Sequence, residues 1–99
     1  MNIIKNKNGN MMTLQIEGRL DTTTAPLFEK EITLLEADVT DLLIDMSALA
    51  YISSAGLRVL LGAQKKMNRI GTMRLTGVSE TIMDVFEMTG FADILNIES

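Results

Sequence analysis

The chain lacks cysteine, histidine and tryptophan altogether, and has one proline and one tyrosine in 99 residues. Without cysteine there is no disulfide framework, no thiolate nucleophile and no zinc–sulfur site; without histidine there is no imidazole base and no usual transition-metal ligand. Much of enzymology is thereby excluded. Basic residues are also in deficit, Lys and Arg numbering 9 against 13 Asp and Glu for a net charge of −4. General nucleic-acid binding, which needs an excess of cations on one face, is not expected. No apolar run approaches the ~18 residues of a membrane span, and Met1 to Asn6 lacks the apolar core of a signal peptide, so no membrane partner and a cytoplasmic location are expected.

What is present is ordinary for a folded chain: 46% hydrophobic and 22% charged residues, enough for one modest core over residues 1–99 as a single domain. Ile3–Lys7 and Met11–Glu17 flank Asn8-Gly9-Asn10, and Thr13 to Glu17 alternates apolar with polar, predicting a β-hairpin. Asp21 to Thr24 supply candidate caps for a helix of roughly three turns with Pro26 in its first turn. Its apolar side is read as Leu27, Phe28, Ile32, Leu34 and Leu35. Leu42, Leu43 and Ile44 read as a central strand covered on both faces or close to it. From Ser47 to Ile52 the chain reads as a tight connection to a helix opening on Ser53-Ser54. Thr72 to Gly77 alternates as a further strand, and Ser79 can cap a third helix with Ile82, Val85 and Phe86 inward and Gly90 as its stop. Ile94, Leu95 and Ile97 can add an edge strand. The order β-β-α-β-α-β-α-β predicts an α/β fold, one mixed four- to five-stranded sheet with helices packed against it.

On a helical wheel for the middle helix, Leu57, Val59, Leu60, Leu61, Ala63, Met67 and Ile70 fill one apolar arc, while Arg58, Gly62, Lys65 and Arg69 form an exposed, mainly basic stripe. Extended back to the serines, the wheel puts Ser53 on the core side and Ser54 one turn before Arg58. A helix start carries unpaired N–H groups and roughly half a positive charge, which suits a serine that receives a phosphate. The same serines also read as a plain capping pair. Likewise the basic stripe reads as either a solvated face or a partner contact, and Asp21 and Asp45 as turn caps rather than an acid/base or metal pair. Of the 8 Met, Met46 and Met67 fall at core-like positions, leaving Met88 as an exposed contact.

Gly18-Arg19-Leu20-Asp21, Leu43-Ile44-Asp45-Met46-Ser47, Tyr51-Ile52-Ser53-Ser54-Ala55-Gly56-Leu57 and Val85-Phe86-Glu87-Met88-Thr89-Gly90-Phe91 together resemble the successive signatures of STAS-domain anti-sigma-factor antagonists. The resemblance covers nearly the whole chain. It implies that Ser54 is phosphorylated by a partner that is both serine kinase and anti-sigma factor, that only the unphosphorylated form binds this partner and frees the sigma factor, and that a metal-dependent serine/threonine phosphatase resets the switch. On this reading the chain is no enzyme and holds no cofactor; the kinase supplies ATP, magnesium and the catalytic base. The expected contact set is Asp21, Thr22, Ser53, Ser54, Ala55, Gly56, Leu57, Arg58, Gly62 and Lys65, the loops before the first and second helices lying at one sheet edge. Three departures stand out: Ser53 where the family often has aspartate, Ala55 where it often has serine, and an end at Ser99 about where its final helix begins. Shortened cover of that kind would favour a weak homodimer. The alternative reading is a constitutive STAS scaffold or an accessory subunit of a transporter or sensory complex.

Overall fold

Asn8-Gly9-Asn10 turns the chain between β1 (Asn2–Asn8) and β2 (Met11–Leu20), which pair antiparallel from Asn2↔Glu17 to Asn8↔Met11 in a computed structural model that describes residues 1–98. The expected hairpin is therefore present. α1 (Ala25–Thr33), β3 (Asp41–Asp45), β4 (Leu49–Ile52), α2 (Ser54–Ile70), β5 (Thr72–Thr76) and α3 (Glu80–Thr89) follow, then one 3-10 turn at Phe91–Asp93. The five strands form one mixed sheet in the order β1-β2-β3-β5, with β4 beside the far end of β2.

β2 serves two partners because it is long and changes course. Met11–Gln15 run parallel to β3, whereas Gly18–Leu20 run parallel to β4, with a register irregularity between Gly18 and Arg19. Gly18 has φ +97°, a left-handed conformation that a side chain disfavours, so glycine permits the bend. β4 corrects the expected tight connection: Leu49–Ile52 is a fifth strand inserted before α2.

Side-chain alternation then selects the core. Leu14, Ile44 and Leu75 stand side by side across β2, β3 and β5, as do Met12, Leu42 and Met73, and this face meets Phe28 and Ile32 of α1, Leu57, Leu60 and Met67 of α2, and Ile82 and Phe86 of α3. Thr13, Leu43 and Arg74 occupy the opposite face and are half-buried, so Leu43 is not enclosed on both sides as expected. There Arg74 bridges Asp41 at 3.0 Å and Glu98 at 3.2 Å.

The first helix differs from its expected face. It ends at Thr33 and buries Ala25, Phe28 and Ile32, leaving Leu27 and Leu34 exposed. On α2, Ile70 is exposed and Gln64 is buried instead, donating from Nε2 to Asn68 Oδ1 at 2.8 Å. α3 follows expectation: Ser79 accepts from the Ile82 N–H at 3.2 Å, and Gly90 ends the helix in the left-handed region. The final edge segment makes only a single bridge, Ile97 beside Leu75, rather than a strand.

Candidate phosphoacceptor and docking site

β2 and β4 run parallel and end level, Leu20 opposite Ile52, so the loop that leads into α1 and the residue that leads into α2 emerge side by side. The Ser53 N–H donates to the Leu20 carbonyl at 2.9 Å and ties the two exits together. This is the shared edge anticipated for Asp21, Thr22 and the serines.

Asp21 organises the first exit. Its Oδ1 accepts from the Thr23 N–H at 3.0 Å, the Thr23 hydroxyl at 2.7 Å and the Thr24 N–H at 3.2 Å, while the Thr24 hydroxyl donates to the Arg19 carbonyl at 2.7 Å. The Thr23 hydroxyl above all, with the backbone donors, holds the carboxyl below the usual aspartate range. Asp45 accepts from the Ser47 N–H at 2.9 Å, so each aspartate caps its own turn, as the plainer reading had it. Thr22 is exposed beside Asp21.

At the second exit Ser53 is the N-cap of α2, in extended conformation, yet its side chain makes no cap hydrogen bond, and Oγ is buried with no hydrogen-bond partner. Ser54 is the first helical residue and is exposed. Nor does the first turn of α2 carry an acidic side chain. The positive end of this helix is therefore compensated by neither a serine cap nor a carboxylate.

The remaining expected contact residues divide by exposure. Arg58, Gly62 and Lys65 are exposed and Ala55 is half-buried, but Gly56 and Leu57 lie in the interior. A Cβ on Gly56 would approach Leu20 Cγ to 2.6 Å, so this glycine lets α2 press on the β2–β4 pair. Gly56 and Leu57 thus present no side chain to a partner and act by placing the helix start. Between α1 and α2 runs a shallow groove of about 220 Å³, lined by Thr22, Pro26, Glu29, Ala55, Arg58 and Val59 among others.

Two site residues were not anticipated. The Arg19 guanidinium lies 4.1 Å over the Tyr51 ring and 3.7 Å from Asp21, placing a cation and an aromatic beside the serines. Only the β2–β4 register, with Arg19 opposite Tyr51, brings them together.

The model for the STAS domain matches residues 2–99. An anti-sigma-B factor antagonist of Listeria monocytogenes is 31% identical over 98 residues, covering 97% of this chain and 86% of the relative. The crystal structure of an anti-sigma factor antagonist from Mycobacterium paratuberculosis superposes with a TM-score of 0.86 at 22% identity, over 97% of this chain and 83% of that one. The Bacillus cell fate determinant SpoIIAA in its phosphorylated form gives 0.76 at 18% identity, over 99% and 92%. The family match over residues 2–99, with relatives of this identity and coverage on the same fold, places the chain in the STAS-domain family, among its anti-sigma-factor antagonists.

Proposed function

We propose that the unphosphorylated chain binds an anti-sigma factor that is also a serine kinase, thereby releasing the sigma factor, and that phosphate on Ser54 ends this binding. The observation that carries the reading is the Ser54 hydroxyl, exposed at the start of α2 beside a neighbour whose hydroxyl is buried. The names of the relatives support antagonism, and a structural neighbour known in a phosphorylated form supports a covalent switch.

The chain contributes one oxygen. In the forward step Ser54 Oγ bonds to the γ-phosphorus of ATP as the bond to the β–γ bridging oxygen breaks; ADP leaves and the hydroxyl proton passes to a kinase base. The kinase supplies that base along with ATP and magnesium, so substrate and catalyst are divided between the partners. A metal-dependent serine/threonine phosphatase then transfers the phosphoryl group to water and restores the hydroxyl. Both encounters take place in the cytoplasm, with the sigma factor.

Exposed Thr22, Ser54, Arg58, Gly62 and Lys65, with half-buried Asp21 and Ala55, form the docking surface. A phosphate adds about −1.5 to −2 charges to it. Once docking removes water, an unpaired dianion needs to cost only about 2.8 kcal/mol to weaken binding a hundredfold. Binding measured with the purified kinase, with phosphate mapped by mass spectrometry, tests the proposal. Ser54→Ala should bind and resist phosphorylation, and Ser54→Asp should bind poorly. Phosphate found on Ser53 would overturn the assignment, and stoichiometric co-purification with a transporter or sensory complex whatever the phosphate would favour a constitutive scaffold.

A further inference from the structure

α2 contains Arg58, Lys65, Lys66 and Arg69 and no acidic residue, whereas α3 contains Glu80, Asp84 and Glu87 and no basic one. Arg58, Lys65, Arg69, Glu80, Asp84 and Glu87 are all exposed, and among the described residues none of them is in a salt bridge. Of the cations outside α2, Lys5, Lys7, Arg19 and Arg74 each meet a carboxylate, and Lys30 on α1 is the one in no salt bridge among the described residues. The chain keeps two opposite, unanswered stripes on separate helices.

Their spacings match. Gly62, Lys65 and Arg69 follow one another at three and four residues, and Glu80, Asp84 and Glu87 at four and three, so each set runs as one line along its helix. Laid antiparallel, Glu80 falls opposite Arg69, Asp84 opposite Lys65, and Glu87 opposite Gly62 with Arg58 one turn beyond. The next residue, Met88, is 87% exposed. Gly62 leaves this part of the α2 surface without a side chain, and a Cβ there would stand in open space, so a partner can approach the helix backbone. Gly62 also borders a cavity of about 290 Å³ shared with Glu29, Ile32, Val59, Ala63 and Lys66.

We infer that α3 of one copy docks antiparallel on α2 of a second copy, its carboxylates on Lys65, Arg69 and Arg58 and Met88 over the bare backbone at Gly62. Each copy carries −4 overall, but repulsion between whole molecules is screened beyond about 8 Å at physiological ionic strength, whereas contacting pairs are not. A contact held by a few exposed pairs and one methionine is weak, with a dissociation constant on the order of 0.1 mM. Because it covers Lys65 and Gly62, it withholds part of the face proposed to meet the kinase. The contact itself is independent of any phosphate on Ser54.

Sedimentation equilibrium of the full chain to about 1 mM, paired with charge-reversed variants, tests it. Lys65→Glu/Arg69→Glu and Asp84→Lys/Glu87→Lys should each raise the dissociation constant at least about tenfold, and their equimolar mixture should restore association as a mixed pair. Raising salt from about 0.05 M to about 1 M should weaken the wild-type contact. Met88→Ser, at an exposed position that leaves every charge in place, should weaken it too. A monomer throughout, variants that associate like the wild type, a mixture that fails to pair, or strengthening with salt would each overturn the inference.

Discussion

Alanine at Gly56 should destabilise this fold and alanine at Gly62 should stabilise it, although both lie on α2. At position 56 the new Cβ would stand 2.6 Å from Leu20 Cγ and 2.9 Å from Leu20 Cδ2 and Ile52 Cγ1. Leu20 is fully buried, and the atom struck first is its branching carbon, so the side chain cannot swing clear without disturbing the β2–β4 pair. Overpacking of this kind costs about 1–3 kcal/mol, against a gain in helix propensity of less than about 1 kcal/mol. The net loss is about 1–2 kcal/mol, or roughly 5–15 °C in Tm for a domain of this size. At position 62 the Cβ enters open space, so only the propensity gain remains, about 0.5–1 kcal/mol and roughly 2–8 °C. Thermal and urea unfolding followed by circular dichroism measures both, with an unchanged m-value showing that the denatured state is unaltered. A Tm for Gly56→Ala equal to or above that of the wild type would refute the close approach of α2 to β2 and β4 on which the placement of Ser54 depends.

Ser53→Ala should leave stability unchanged or raise it by up to about 1 kcal/mol, because the hydroxyl removed is buried without a partner; a clear loss in urea unfolding would reveal a cap after all. Phosphorylation of Ser54 should leave Tm equal or higher, since the dianion sits at the positive end of α2. A lower Tm would mean that the phosphate acts by disrupting the fold rather than the contact. Asp21, its carboxyl held low chiefly by the Thr23 hydroxyl, should contribute stability fully above its ordinary pKa of about 3.9 and lose it as pH falls through the lower folded value. Asp21→Asn, compared with the wild type in urea titrations between about pH 6 and pH 2, should flatten that acid-side decline.

The parts legible in the sequence were those decided by local period. The hairpin, the three helices and the inward Ser53 and outward Ser54 follow from two- and four-residue repeats continued along one element. What was missed depends on distant partners. β4 is only four residues long, and its neighbour is the far end of β2, reached after Gly18 bends that strand, so no short-range pattern announces it. The pairing of Arg19 with Tyr51 fails for the same reason. Leu27 and Leu34 have suitable spacing, but spacing cannot choose which arc of α1 faces the sheet; Ala25, Phe28 and Ile32 do, and the helix stops before Leu34. Gln64 shows the converse, a polar residue buried by its place on α2 and bonded to Asn68 one turn on.

The different placement of the adjacent serines would let a charge on Ser54, as proposed, control docking without threatening the domain. Ser53 is turned under the helix start, where the Leu20 carbonyl holds its N–H and no group answers its hydroxyl. A phosphate there would have to be desolvated or would have to force the strand exits apart. One residue on, the backbone has entered the helix and Ser54 points to solvent, one turn from Arg58. In the free protein a dianion at that point keeps its water and gains up to about 1 kcal/mol from the helix end. On the proposed reading, docking would strip that water, and unless a cation of the partner met the dianion the cost would fall on the complex alone. The fold leaves the Ser54 oxygen outside its own network of bonds, so a phosphate placed there, as proposed, would express its energy almost entirely as affinity.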